Sequence, residues 1–98
     1  MRFRPRRPDA AQPGIVRAVK AIGATVFSIV GKEGEPDLAV GYRGHTLLRE
    51  VKTPGRLTHD KPHRLRQEAF HAAWRGDAIQ VWSTPEQAVA ELMDLEAR

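Results

Sequence analysis

Hydrophobic residues recur along the chain in two spacings, one typical of helices and the other typical of strands. The helical spacing predicts one helix from Pro13 to Gly23, a second over 65–75 and a third from Pro85 onward. Short runs rich in Val, Ile, Leu and Thr predict strands at 24–30, 38–42, 46–52 and 78–82. The pattern therefore predicts an α/β fold with the element order αβββαβα.

Arg43-Gly44 separates two of the predicted strands and has the form of a two-residue hairpin turn. Such a turn pairs Tyr42 with His45, and the same register continued along the strands places Asp37 opposite Glu50. Residues directly opposite each other have Cβ atoms about 4.5–5.5 Å apart, so the two carboxylates repel. One cation that prefers oxygen ligands would convert this repulsion into a binding site.

Lys52 follows Glu50 by two residues, and alternate residues of a strand share a face. Its amine is therefore expected beside the carboxylates, where it can orient a water or stabilise charge during displacement at phosphorus. Taken alone, a Glu-x-Lys on a strand is more often a solvated ion pair, and a Pro-Asp more often opens a turn. The combination is more specific, because charged residues are uncommon within a largely buried sheet.

Composition and charge narrow the class of partner. A chain of 98 residues suits a single folded domain, here 9–98, preceded by a basic arm over 1–8 that holds four Arg. The formal charge of +4 favours a polyanionic partner such as nucleic acid. There is no cysteine for disulfides or zinc, and no apolar run approaches the ~20 residues of a membrane span. We expect a cytoplasmic protein that does not bind membranes.

Two short motifs in this order of elements resemble a known superfamily. Pro36-Asp37 followed by Glu50-Val51-Lys52 resembles the motif of the PD-(D/E)XK nucleases, and in particular the small stand-alone VRR-type nuclease domains of phages and prophages. The resemblance spans roughly 9–95, and its further support lies in 34–44, 48–52, 67–71 and 74–76. It implies a restriction-endonuclease-like αβββαβ core, a mixed central sheet flanked by helices, and an additional C-terminal helix.

The resemblance also implies an activity and a metal site. Such domains are endonucleases that hydrolyse phosphodiester bonds in DNA with Mg²⁺ or Mn²⁺. The positions that match their metal ligands are Asp37, Glu50 and the backbone carbonyl of Val51, and Lys52 matches the catalytic lysine. In the family pattern Gln67 lies near that lysine. The alternative interpretation is that Gln67 is an exposed residue of the second helix.

Gln12 stands where family members often carry a metal-binding glutamate. An amide can ligate a metal through its oxygen but supplies no charge, so one metal and two metals both stay open. Gln12 can instead cap the first helix. The neutral residue is also the best argument for a different function, a non-catalytic DNA-binding or assembly protein on a nuclease-like scaffold.

Basic residues indicate where DNA would lie. The candidate phosphate contacts are Arg2, Arg4, Arg6 and Arg7 in the arm and Arg56, Lys61, Arg64 and Arg66 near the second helix. Phosphate contacts position DNA without reading its sequence, so we expect structure-selective cutting of branched or junction DNA. Symmetric incision of a junction favours a homodimer, and the resemblance places the protein in a bacterial or phage-infected cell.

The remaining expectations concern the aromatic residues and the histidines. Ala69, Phe70, Ala73 and Trp74 are predicted to form an apolar stripe, and Phe70, Trp74 and Trp82 to lie in the core rather than stack on bases. His71 either faces the same cleft as Gln67 or flanks the core. The histidines at 45, 59 and 63 have no metal-ligand spacing and are expected at the surface or in contact with phosphate.

Overall fold

The computed structural model describes residues 10–31, 33–53 and 61–96, and these contain three helices and four strands. In chain order the elements are α1 (Gln12–Ala21), β1 (Thr25–Ser28), β2 (Leu38–Tyr42), β3 (His45–Val51), α2 (Lys61–Ala73), β4 (Gln80–Trp82) and α3 (Pro85–Glu96). The predicted order αβββαβα is confirmed. Within the described ranges, the helices are all too short or too polar to cross a membrane.

Two kinds of boundary differ from the prediction. α2 begins at Lys61 instead of Leu65, so part of the predicted basic loop is helical. Pro62 is tolerated there, because the first turn of a helix does not use its N–H groups in helical hydrogen bonds. β1 and β4 are shorter than predicted, and both are edge strands of the sheet. The predicted basic arm over 1–8 lies outside the described residues.

The four strands form one mixed sheet in the order β1-β2-β3-β4. β2 is antiparallel to both β1 and β3, whereas β4 runs parallel to β3. Arg43 and Gly44 have φ angles of 49° and 84°, as a type I′ hairpin turn requires. The turn pairs Tyr42 with His45, and Leu38 then pairs with Arg49. The predicted register is confirmed.

The two faces of the sheet are covered differently. On one face, side chains of the sheet pack against α1 and α3 and form the hydrophobic core; they include Leu38, Val40, Leu47, Val51 and Trp82 from the sheet, Ile15 and Val19 from α1, and Ala88 and Leu92 from α3. α2 lies over the opposite face, and Gln67 is the one buried residue of this helix. The apolar core is therefore confined to the α1 and α3 side of the sheet.

The predicted apolar stripe of α2 does not reach the core. Ala69 and Ala73 are exposed, and Trp74 is 38% exposed. Phe70 is half-buried and stacks on Trp74 with ring centroids 5.9 Å apart. The prediction of a core position is wrong for Trp74 and holds only in part for Phe70, whereas Trp82 is fully buried as predicted. Helical periodicity alone did not show which side of α2 faces the sheet.

Arg49 is a buried charged residue on the core face of β3. Its guanidinium forms an ion pair with Glu91 of α3, with Nε donating to Oε2 at 3.1 Å. The same guanidinium lies over the ring of Trp82, 5.6 Å from its centroid, and the indole N–H donates to Glu91 Oε1 at 3.1 Å. This polar network joins β3, β4 and α3.

We expect Glu91→Ala to lower the free energy of unfolding by about 3 kcal/mol, because it leaves the buried guanidinium of Arg49 without its carboxylate. Replacing the pair together, as Arg49→Met with Glu91→Leu, should recover most of that loss. Urea denaturation measures both effects. Glu86→Ala, at an exposed position of the same helix, should cost less than ~1 kcal/mol. Equal losses at positions 86 and 91 would contradict this account of the network.

Candidate functional site

Asp37 is held immediately before β2 by hydrogen bonds to both neighbouring strands. Its N–H donates to the carbonyl oxygen of Arg49 at 3.1 Å, and its own carbonyl accepts from the N–H of Ile29 at 2.8 Å. Its side-chain Oδ2 accepts from the backbone N–H of Val51 at 2.8 Å. These bonds fix the carboxylate beside the end of β3.

Glu50 is the most deeply buried carboxylate of this region, with 2% of its surface exposed. Continuing the β2–β3 register by one residue places it opposite Asp37. The Nε2 of Gln67 donates to Glu50 Oε2 at 2.5 Å, and Gln67 is itself 8% exposed. A donor of this kind offsets part of the cost of removing a carboxylate from water. Gln67 is thus a buried partner of Glu50, and its alternative as an exposed helix residue is excluded.

Lys52 follows the end of β3, and its backbone N–H donates to the carbonyl oxygen of Trp82 at 3.1 Å. This bond extends the parallel pairing of β3 with β4 by one residue. Glu50, Lys52 and Gln67 line one cleft with a volume of about 370 Å³. Glu50 and Lys52 therefore share one side of the sheet, as strand alternation predicts.

The wall of the cleft opposite the sheet is formed by α2. Arg64, Gln67, Glu68 and His71 line it, at the spacing of residues on one side of a helix. Of the two alternatives for His71, the structure selects the cleft. Sequence reasoning missed Glu68, although its place four residues after Arg64 on a predicted helix is a usable signal.

Gln12 is the first residue of α1 and does not cap it. The N-cap is Ala11, whose side chain makes no capping hydrogen bond. The Nε2 of Gln12 donates instead to Ser28 Oγ at 3.1 Å, at the end of β1. Ile29, the residue after Ser28, donates its backbone N–H to the carbonyl oxygen of Asp37. The Gln12 amide therefore lies at the same end of the sheet as Asp37.

The remaining predicted DNA contacts fall into two groups. Lys61 and Arg66 are exposed on α2 but do not line the cleft. Arg2, Arg4, Arg6, Arg7 and Arg56 lie outside the described residues, as does His59. Of the predicted cationic contacts, Arg64 lines the cleft together with Glu50.

The donor set around Asp37 and Glu50 fits a hard divalent cation. Mg²⁺ is commonly bound through one or two carboxylates, with water and substrate phosphate oxygens completing its coordination. Over 10–31, 33–53 and 61–96, no three His, Asp or Glu side chains are grouped closely enough to hold a metal ion.

The sheet thus carries an aspartate before one hairpin strand and a glutamate and a lysine at the end of the other. A solved structure described as a VRR_NUC domain is similar to this chain, with 30% sequence identity and a TM-score of 0.55 over 86% of this chain and 90% of that chain. The chain belongs to the VRR_NUC family. Comparisons with protein-family models and with curated proteins gave no match.

We expect Gln67→Ala to lower the free energy of unfolding by about 1–3 kcal/mol, because a buried carboxylate loses a donor. Glu68→Ala changes an exposed neighbour and should stay within ~0.5 kcal/mol of the wild type. In a Glu50→Gln background the loss from Gln67→Ala should shrink, since the hydrogen bond no longer involves a charged group. Denaturation with urea measures the wild type and all four variants, and an unchanged loss in the Glu50→Gln background would contradict the assignment.

Proposed function

We propose that the protein is a metal-dependent DNA endonuclease that hydrolyses phosphodiester bonds in the cleft between the sheet and α2. The observation that carries this proposal is the convergence of Asp37, Glu50 and Lys52 at one end of the hairpin, on the scaffold of a VRR_NUC domain. Two acids and a lysine beside a basic helix suit the hydrolysis of a phosphate ester.

Asp37 and Glu50 would hold Mg²⁺ or Mn²⁺ together with the backbone carbonyl of Val51, with the amide oxygen of Gln12 as a further candidate ligand. A divalent cation in this place would neutralise charge on the scissile phosphate as the transition state develops. Asp37 is oriented for this role by its bond from the N–H of Val51. Glu50 is oriented by Gln67.

Lys52 would act on the attacking water or on charge that develops at phosphorus. Its backbone is fixed to β4, and its side chain shares the cleft with Glu50. A lysine amine that is positioned before the reaction costs no reorganisation when charge develops. Gln67 has a supporting role, because its contact is with the Glu50 carboxylate.

DNA would cross the mouth of the cleft along α2. Arg64 and His71 stand seven residues apart on the cleft side of this helix, which is about 10 Å along its axis. Together with the exposed Lys61 and Arg66 they offer donors to a phosphate backbone. The arm residues Arg2, Arg4, Arg6 and Arg7 and the loop residue Arg56 are proposed as further contacts.

We further propose that the enzyme selects branched DNA by shape and works as a homodimer in the cytoplasm of a bacterial or phage-infected cell. One chain offers a single Asp37–Glu50–Lys52 site, and two symmetric incisions require two such sites. Phe27 and Val30, at the edge strand β1 and just after it, are 68% and 94% exposed. These side chains give a second copy an apolar surface to cover.

The competing function is a DNA-binding or assembly protein without catalysis. The observation that favours it is Gln12, which supplies no negative charge and whose amide nitrogen is bonded to Ser28. A weaker site for the cation would follow from the missing charge. The intact Asp37, Glu50 and Lys52 favour the nuclease.

The decisive assay is cleavage of labelled branched and linear DNA with Mg²⁺ or Mn²⁺. We expect Asp37→Asn and Glu50→Gln to lose activity by on the order of 10²-fold or more. Lys52→Ala should lower turnover far more than DNA affinity, because its charge acts in the transition state. Lys20→Ala and Glu86→Gln change exposed charges on α1 and α3 and should leave cleavage unchanged. DNA binding without cleavage in either metal would establish the non-catalytic alternative.

Sedimentation at micromolar concentration tests the homodimer. We expect a dimer in the wild type, and Phe27→Lys should shift it toward monomer because a charge would enter the proposed apolar contact. Met93→Lys changes another exposed apolar residue, on α3, and should leave the dimer intact. A wild-type monomer, both free and on branched DNA, would contradict the proposal of symmetric incision.

A further inference from the structure

Gly34 lies in the loop before Pro36-Asp37 and packs directly against the main chain of α2. It is buried, with a φ angle of +87°. A Cβ built on this glycine would lie 2.2 Å from the carbonyl oxygen of Arg66 and 2.7 Å from the backbone nitrogen of Gln67. Side-chain carbons do not approach backbone atoms so closely, so only glycine permits this packing.

The contact falls at the helix residue that holds the glutamate of the site. Gln67 donates to Glu50 at 2.5 Å. Three residues after Gly34, Asp37 is bonded to the main chain of β3 through its own N–H and through Oδ2. The short loop from Gly34 to Asp37 therefore contacts both α2 and β3. Gly34 touches α2 at Gln67, and Asp37 is bonded to β3.

Gln67 is the residue of α2 that lies deepest in the domain. Among the described residues of the helix Gln67 alone is buried, and the large side chain of Leu65 remains exposed. The contacts between α2 and the rest of the domain include the hydrogen bond from Gln67 to Glu50 and the close approach to Gly34. Polar and main-chain contacts of this kind position a helix whose apolar side chains stay largely exposed.

We propose that Gly34 is a positioning residue of the nuclease site, because its lack of a side chain lets α2 approach closely enough for Gln67 to hydrogen-bond Glu50. The inference rests on the function proposed above. The nearest α2 backbone atom would have to move from 2.2 Å to at least 3.4 Å from a methyl group at this position, a displacement of about 1.2 Å. A hydrogen bond of 2.5 Å lengthened by that amount would exceed the ~3.5 Å at which such bonds are lost.

The test compares Gly34→Ala with Gly23→Ala. Both glycines have positive φ angles, +87° and +105°, which strain an alanine at either position. Nothing lies within 4 Å of a Cβ built on Gly23, which follows α1, so this variant is a control for strain without collision. We expect Gly34→Ala to lower kcat by on the order of tenfold, as loss of one hydrogen bond would. DNA affinity should stay within ~2-fold, and Gly23→Ala should change kcat by less than ~2-fold.

A double-mutant cycle shows whether the effect passes through Gln67. In a Gln67→Ala background, Gly34→Ala should lower kcat by no more than ~2-fold further. The shifts that the two substitutions cause in the urea midpoint, measured without metal or DNA, should be non-additive in the same way. The cycle can therefore be completed even if the protein cuts no DNA. Failure of cleavage alone would overturn the proposed function, whereas additive effects in the urea midpoint would overturn the role of Gly34.

A variant that leaves Gly34 unchanged keeps the proposal testable if Gly34→Ala does not fold. Gln67→Asn shortens the amide side chain by one methylene, so it can reach Glu50 only if α2 moves closer to β3. With α2 held by Gly34, Gln67→Asn should lose as much kcat as Gln67→Ala. Wild-type kcat in Gln67→Asn would show that the helix distance is adjustable and would overturn the proposal.

Discussion

Burial of the Glu50 carboxylate sets the conditions that the surrounding elements must meet. An acid with 2% of its surface exposed needs hydrogen-bond donors close to it, because water no longer supplies them. Gln67 provides one donor from α2, so this helix turns an amide and charged residues toward the sheet in place of apolar ones. Leu65 of α2 stays exposed for the same reason.

The two faces of the sheet differ in what they carry: one packs in the hydrophobic core, and the other lines the cleft. Adjacent residues of β3 point to opposite sides, so Arg49 and Val51 face the α1 and α3 core while Glu50 faces the cleft. The Arg49–Glu91–Trp82 network holds β3 and β4 from behind the site. A carboxylate that points away from a fixed strand has its backbone position determined before any ligand binds.

The sequence predicted the hairpin correctly, because local rules determine its geometry. The φ angles at Arg43 and Gly44 suit a type I′ turn, and the turn alone sets the register that brings Asp37 opposite Glu50. It predicted poorly what depends on distant packing. The periodicity of α2 grouped its residues by side but did not show which side meets the sheet. The burial of Arg49 depends on its contact with Glu91, which lies 42 residues away in the sequence.

Gly34 is another residue whose role depends on distant packing and not on local sequence. In the sequence it is one glycine in a polar loop, and such a residue ordinarily indicates a turn. Its role follows from a close approach to Arg66 and Gln67, which no pattern in the loop encodes. Because that approach bears on Gln67 and through it on Glu50, the loop before Asp37 affects both acids of the site. Changes in this loop should therefore alter the site more than the hydrophobic core, since the core lies on the other face of the sheet.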